Sequence, residues 1–315
     1  MKRLAVHKIR YVNLLLIVTI VAHFFITFGV YKWISSTDMA YALQVLLLVL
    51  PIICGICLPA VIYIIVWSKL NHIGLRETLI PEKNAVKPNF LKIVYVILFA
   101  LLTYTAVCYF NFAIRGVVQY FTKELAIKQI AFGGGVAGIL LSVVVLAGLP
   151  ALVGEFLNKK IVVPAYSGTG GVFSFLIPVL LSVVFYTDIQ TILFRLCYAG
   201  AAMLVYRKTN NFLLSALFMF FVLLPDAISG GGVWLPLDYR TTLAVEESLI
   251  NGLFAFSVAI IALIGWFSLY HFVFFYEKTM LSGGMKPDYY DVLSIFVIPF
   301  VCLMMYMLNI YFFHS

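Results

Sequence analysis

Long apolar runs recur along almost the whole chain, and they restrict the folds that it can adopt. Several of them reach the roughly 18–20 residues that a helix needs to cross a bilayer, and the sequence is 64% hydrophobic and only 11% charged. The runs lack the short alternating segments that are typical of a membrane β-barrel. We therefore predict an all-α fold, a polytopic transmembrane helix bundle of about nine spans, with these approximate bounds: 12–31, 41–67, 91–111, 130–152, 171–188, 190–206, 212–230, 247–275 and 290–312.

The positive charges indicate how such a bundle is oriented. With the N-terminus inside, most of the 21 lysine and arginine residues fall in segments on the cytoplasmic side, which cationic loops favour. This bias accounts for the net charge of +8, and no compact basic patch with interleaved aromatic residues is present. We predict a multi-pass membrane protein, with the lipid bilayer as a partner and no nucleic-acid partner.

Small residues are placed where they can shape the bundle. Cys54 and Cys57 have the spacing of a metal or redox pair, but no second ligand pair accompanies them, so we interpret them as small buried residues of a helix. Small residues also cluster at 133–138 and at 199–202. Such side chains let helix backbones approach closely in lipid, which predicts that the fourth and sixth spans lie near the bundle centre.

An acidic residue at the inner end of the fourth span, Glu155, needs an explanation, because a carboxylate at the edge of the bilayer is costly. Two interpretations remain open. Lys159 follows four residues later, a spacing that brings the two side chains together on one helix face, so they can form a simple interfacial ion pair. Alternatively, Glu155 belongs to a functional site, either active or vestigial.

Three short motifs occur in a characteristic order around Glu155. They are LNHIGLR at 70–76, GEFLNK at 154–159 and YRKTNN at 206–211. In this order they resemble the CPBP intramembrane proteases, also called the Abi or CAAX-protease and bacteriocin-processing family. The family pattern has Leu-Gly-Leu-Arg, then Glu-Glu-x-x-x-Arg, then a Tyr-x-(Arg/Lys)-Thr-Gly-Ser turn. The resemblance implies this division of the chain: two N-terminal spans over 1–67, a CPBP-like membrane core over 68–228, and two additional C-terminal spans over 229–315.

The resemblance also implies a location, the bacterial cytoplasmic (inner) membrane, and roles for individual residues. Glu155 takes a catalytic position and Asp188 is its prospective partner. Lys159, at the arginine position of the second motif, and Arg207 and Asn211, in the third, are the prospective substrate-binding residues.

The sequence differs from the family pattern at the glutamate and histidine positions, which would bind a metal or activate a water molecule. Gly154 stands at the first glutamate position, and no histidine occupies either histidine position, near 188–190 and near Met219. A metal-activated water needs about three protein ligands. We therefore predict no metal site and no cofactor. A divalent metal such as zinc is expected only if protease chemistry is retained.

A second part of the chain also contains a Glu-Glu pair, which ends at Glu247, and a Phe-x-x-x-His pattern, which ends at His271. Both lie in one predicted helix, and a rise of about 1.5 Å per residue sets them roughly 36 Å apart, on opposite membrane faces. No proline occurs between them, so we assign them no joint site.

These patterns lead to three functional hypotheses. The first is a catalytically degenerate CPBP-like membrane protein that acts in peptide or bacteriocin immunity or processing, or as the partner of a peptide or membrane protein. The second is a permease or export subunit working with a separate ATPase, since the sequence has no Walker A motif. The third is an active, atypical glutamate-dependent intramembrane protease, so enzymatic activity stays open at this point.

Overall fold

The computed structural model of the chain describes residues 8–37, 49–72, 87–122, 135–169, 172–182, 189–228 and 245–274, with a few positions at 43–47 and 297–304. Within these ranges the chain forms helices and no strand. The helices, numbered along the chain, are α1 (Ile9–Ser36), α2 (Pro51–Cys57 continuing as Leu58–Asn71), α3 (Phe90–Thr122), α4 (Gly135–Ser142 continuing through Val143–Gly148, Leu149–Leu157, Asn158–Val162 and Val163–Tyr166), α5 (Phe173–Leu181), α6 (Ile189–Thr209), α7 (Phe212–Ile228) and α8 (Val245–Phe274).

The prediction of a helical membrane protein is confirmed. In the described part of the chain, 5 helices are long and apolar enough to cross a membrane: Ile9–Ile34, Pro51–Leu70, Phe90–Asn111, Gly138–Tyr166 and Gly252–Tyr270. The apolar stretch Phe212–Pro225 is shorter. Large apolar side chains of α8, such as Leu253, Ile261 and Ile264, are mostly exposed, as expected for a helix surrounded by hydrocarbon. The predicted ninth span, 290–312, falls almost wholly outside the described residues.

Three π-helical segments widen the helices, and each ends two residues before a proline. The segments Pro51–Cys57, Val143–Gly148 and Asn158–Val162 precede Pro59, Pro150 and Pro164. Proline lacks an N–H and its ring collides with the carbonyl four residues back, so a wider turn relieves the conflict and bends the helix. In each case the N–H just before the proline donates to the carbonyl five residues back: Leu58 to Ile53, Leu149 to Val144, and Val163 to Asn158.

The apolar core consists of two main clusters with α7 at their junction. The first joins α1, α2, α4 and α5, with Ile161 and Tyr166 of α4 fully buried in it. The second joins α3, α6 and α7, where the rings of Phe99 and Phe218 lie 5.6 Å apart. Because α7 packs against α3, α4 and α6, it connects the two clusters and holds α4 within the bundle.

Small residues mediate the closest helix contacts. Ala199, Ala201 and Ala202 of α6 are buried, whereas a Cβ atom added to Gly200 in the same cluster would meet nothing within 4 Å. Gly133 and Gly134 lie outside the described residues. A close approach joins α1 to α2 at Gly55. A Cβ atom added to Gly55 would lie 2.6 Å from the Cα atom of His23, so only glycine fits there.

The helix α8 runs without interruption from Val245 to Phe274. Positions 247 and 271 therefore lie at opposite ends of one continuous helix, as predicted.

Candidate functional site

Glu155 lies within the helix α4, well before its end. The predicted fourth span stops near residue 152, but the helix continues through the lysines at 159 and 160 and ends at Tyr166. Glu155 is only 4% exposed. The carboxylate is therefore buried among the helices, where a polar group is stable only if it has hydrogen-bonding or charge partners.

The charge partner of Glu155 is Lys159, one helical turn later. The Lys159 Nζ atom lies 3.5 Å from the Oε2 atom of Glu155, and the Lys159 side chain is completely buried. The ion pair predicted from the i,i+4 spacing is thus confirmed, in a buried setting. The ammonium also lies 3.5 Å from the Sδ atom of Met203 and 5.8 Å from the centre of the Tyr206 ring, so the surroundings of this cation come from α4 and α6.

A hydroxyl group from a third helix completes this cluster. Ser215, near the start of α7 and fully buried, donates to the Glu155 carboxylate, and its Oγ atom also lies 2.9 Å from the carbonyl oxygen of Ala202. A serine hydroxyl carries one proton, so Ser215 serves these two acceptors alternately. The four residues Glu155, Lys159, Ser215 and Ala202, which we call the Glu155 cluster, join α4, α6 and α7 at one point.

The turn at 206–211, which resembles the family motif, forms the connection between α6 and α7. Asn210 takes the left-handed conformation with φ 48°, which asparagine tolerates better than most residues. The Oδ1 atom of Asn211 accepts from the N–H groups of Leu213 at 2.9 Å and Leu214 at 3.4 Å. Asn211 is therefore the N-cap of α7, and this motif shapes a turn between two helices.

Of the other predicted site residues, Arg207 contacts residues at the start of α5, and Asp188 lies outside the described residues. The Arg207 guanidinium donates to the Oγ atom of Ser174 at 2.8 Å, and it lies 5.0 Å from the centre of the Phe175 ring. These contacts attach the end of α6 to the start of α5. The structure thus brings Glu155 and Lys159 into one cluster. Arg207 instead contacts the start of α5, and Asn211 caps the start of α7.

A cavity of about 450 Å³ adjoins Glu155. Most of its wall is apolar, but polar side chains enter it from several helices, namely His23 and Thr27 from α1, Glu155 and Asn158 from α4, Ser182 after α5, and Arg195 from α6. The π-helical segment of α2 contributes Pro51, Ile52 and Ile56. The cavity lies where wide helical turns and helix bends leave space, and its size is in the range of small-molecule sites.

We missed three of these polar residues in the sequence: His23, Thr27 and Asn158. His23 shares a hydrogen bond of 3.1 Å between its Nδ1 atom and the carbonyl oxygen of Pro51, which fixes α1 against α2. The prolines after the π-helical segments were the available signal, because they mark the places where these helices widen and bend.

The wall of the cavity does not assemble a ready metal site from the residues that the structure describes. Over these ranges, no group of three or more His, Cys, Asp and Glu side chains lies close enough to hold a metal ion. Gly154, at the first glutamate position of the family pattern, also lines the cavity, and a Cβ atom there would meet nothing within 4 Å.

Comparison with protein-family models, with characterised proteins and with solved structures finds no significant match to this chain. The functional argument therefore rests on the residues and contacts of the chain itself.

Proposed function

We propose that the chain is a bacterial cytoplasmic-membrane protein of nine spans, with its N-terminus inside and a CPBP-like core that has lost protease chemistry. It acts in immunity to, or processing of, a peptide or bacteriocin, as the partner of a peptide or membrane protein. The helices that are apolar enough to cross a membrane support the location. The short motifs at 70–76, 154–159 and 206–211 support the core.

One observation carries the proposed loss of catalysis: the Oε2 atom of the Glu155 carboxylate already has two partners. A general base must be free to take a proton from a water or a substrate within hydrogen-bonding reach. The Oε2 atom of Glu155 instead faces the Lys159 ammonium and accepts from Ser215. A buried carboxylate held between a cation and a hydroxyl group is suited to joining helices, which favours a binding or regulatory role over hydrolysis.

The immunity role is tested in the cell that carries the chain. Deletion of the coding region is expected to increase the sensitivity of that cell to pore-forming bacteriocins several-fold, and expression of the wild-type chain from a plasmid is expected to restore resistance. The measurement is the lowest inhibitory concentration of each bacteriocin. If deletion changes none of these concentrations, the chain has no immunity function.

The third hypothesis, an active glutamate-dependent protease, has one observation in its favour, because Glu155 lines the cavity. In that case Glu155 would act as the base and Asp188 as its partner. Any substitution that removes the carboxylate would then abolish peptide cleavage, whatever residue accompanies it at position 159. A variant in which both Glu155 and Lys159 are replaced by uncharged residues therefore separates the two hypotheses.

A further inference from the structure

Three cations lie at one end of the bundle, and each is placed over an aromatic ring of another helix. They are Lys160, near the end of α4, and Arg207 and Lys208, at the end of α6. Their charged groups lie 5.0–5.7 Å from the ring centres of Phe212 in α7, Phe175 in α5 and Tyr270 in α8, respectively. All three side chains are partly exposed, so a ligand can reach them. We call these three cations the basic surface.

The basic surface is built around one packed cluster. The Tyr206 hydroxyl donates to the carbonyl oxygen of Lys159 at 3.3 Å, which joins α6 to α4 beside Lys160. The rings of Phe175 and Phe212 pack against the buried apolar cluster that contains Tyr206. The cations of α4 and α6 are therefore held at the place where these two helices meet α5 and α7.

The positive charge of this surface has little acidic counterpart in the part of the chain that the structure describes. Glu155 is the nearby acidic side chain, and it is buried and faces Lys159 at 3.5 Å. The other acidic positions within the described helices are at the opposite ends of α7 and α8, namely Asp226, Glu246 and Glu247. An aromatic ring attracts a cation through its quadrupole but carries no net charge. The rings thus hold the cations in place without neutralising them.

An exposed apolar face begins beside the basic surface. Ser174, which accepts from Arg207 at 2.8 Å, lies at the start of α5. Phe173, Leu176 and Leu180 follow one another on one face of this helix, at spacings of three and four residues, and they are 62%, 45% and 52% exposed. Such a face is suited to contact with hydrocarbon. A ligand that combines an anion with acyl chains would match both the cations and this face.

We propose that the basic surface binds the phosphate group of an anionic phospholipid, whose acyl chains lie along the exposed apolar face of α5. A guanidinium has five N–H donors arranged to bind two oxygens of one phosphate, and Ser174 accepts from one nitrogen of Arg207. The ammonium groups of Lys160 and Lys208 add charge attraction. Basic sites between membrane helices are a recurring way to bind anionic lipids. The inference goes beyond the proposed function and does not depend on it, because it involves neither a peptide partner nor catalysis.

The experiment uses the full chain, purified in detergent micelles, and two lipids with the same acyl chains. Dioleoylphosphatidylglycerol carries a net negative charge, and dioleoylphosphatidylcholine carries none. Native mass spectrometry measures the dissociation constant of the first bound lipid, and circular dichroism verifies that each variant is folded. The wild-type chain is expected to bind the phosphatidylglycerol at least tenfold more tightly, since each lysine or arginine near the lipid contributes roughly fivefold.

A soluble phosphate distinguishes the lipid from a free anion. Glycerol 3-phosphate has the phosphate group but no acyl chain, and a large excess of it is expected to leave the bound phosphatidylglycerol in place. If it displaces the lipid, the surface is a site for soluble phosphates and the lipid assignment is wrong.

Two matched double variants test the location of the site. Lys160→Gln/Lys208→Gln removes two cations of the basic surface, whereas Lys32→Gln/Lys69→Gln removes the same charge from exposed positions of α1 and α2. The first is expected to weaken phosphatidylglycerol binding at least tenfold and to leave phosphatidylcholine binding unchanged, and the second to change neither. If the first does not fold, Lys208→Gln alone should weaken phosphatidylglycerol binding about fivefold. Equal affinities of the two lipids for the wild-type chain, or equal effects of the two double variants, would overturn the proposal.

Discussion

The substitution Glu155→Gln is the sharpest perturbation of the buried cluster, because it removes a charge while almost preserving shape. Glutamine can still accept from Ser215, so the principal loss is the attraction between Glu155 and Lys159. At an effective dielectric constant of about 20, charges 3.5 Å apart attract each other by roughly 5 kcal/mol. Among the described residues the ammonium keeps its contacts with Met203 at 3.5 Å and the Tyr206 ring at 5.8 Å, and a cation–π contact returns about 2 kcal/mol.

We therefore expect Glu155→Gln to lower the free energy of unfolding by about 3–4 kcal/mol, in line with the loss from breaking other buried ion pairs. The double variant Glu155→Gln/Lys159→Met has no unpaired charge and places a flexible apolar side chain in the space of the lysine. It is expected to lie within about 1 kcal/mol of the wild-type chain. Once Lys159→Met alone is also measured, the two positions should show a coupling energy of at least about 2 kcal/mol, far above that of independent sites.

Unfolding in mixed micelles of dodecylmaltoside and SDS, followed by tryptophan fluorescence, provides these free energies. Lys160→Met is the matched control, because it removes the same charge one residue later, where the ammonium lies 5.2 Å from the Phe212 ring. Its effect should add to that of Glu155→Gln within about 0.5 kcal/mol. If the double variant at 155 and 159 is as unstable as Glu155→Gln alone, the buried ion pair does not stabilise the fold and the reasoning fails.

Three further substitutions test local features by the same unfolding measurement. Asn210→Ala should destabilise the chain by about 1 kcal/mol and Asn210→Gly should be nearly neutral, because φ is 48° and alanine resists the left-handed region; equal losses would contradict this. Asn211→Ala should cost about 1 kcal/mol while Asn211→Ser retains the cap of α7; a neutral alanine variant would refute the capping role. Gly55→Ala should cost about 1–3 kcal/mol, since its Cβ atom would lie 2.6 Å from the His23 Cα atom, whereas Gly200→Ala has open space and serves as the control.

The helical membrane character could be predicted because it depends on a property of the whole sequence. In hydrocarbon each backbone polar group needs an internal partner, so long apolar runs specify helices with little dependence on tertiary detail. The pairing of Glu155 with Lys159 was equally accessible, because an i,i+4 contact depends only on helix geometry.

The end of α4 could not be placed correctly from the sequence, and the reason is physical. Glu155, Lys159 and Lys160 have the charges of an interfacial segment, which predicts an end of the fourth span near residue 152. Their partners come from elsewhere in the chain: Ser215 for Glu155 and Met203 and Tyr206 for Lys159. The packing of α6 and α7 against α4 allows the helix to continue to Tyr166 with Glu155 and Lys159 buried.

The cavity could not be predicted from the sequence either, because it depends on how distant helices pack. Thr27 and Asn158 are ordinary polar residues in apolar runs, and nothing in their local sequence distinguishes them from threonines and asparagines that are fully paired. They meet at one cavity only because α1 packs against α2 and α4. Pro59, Pro150 and Pro164 did carry a local signal, since each follows a π-helical turn, but they indicate where a helix widens and not what the resulting space binds.

The most direct test of the central claim is the function of the double variant Glu155→Gln/Lys159→Met in the cell. The deletion strain is complemented with the wild-type chain, the double variant or an empty plasmid, and the lowest inhibitory concentration of a bacteriocin is compared at equal membrane abundance. If Glu155 holds helices together, the double variant protects as well as the wild-type chain. If the double variant is folded and present in the membrane yet protects no better than the empty plasmid, the carboxylate itself performs the function and the structural account of Glu155 is wrong.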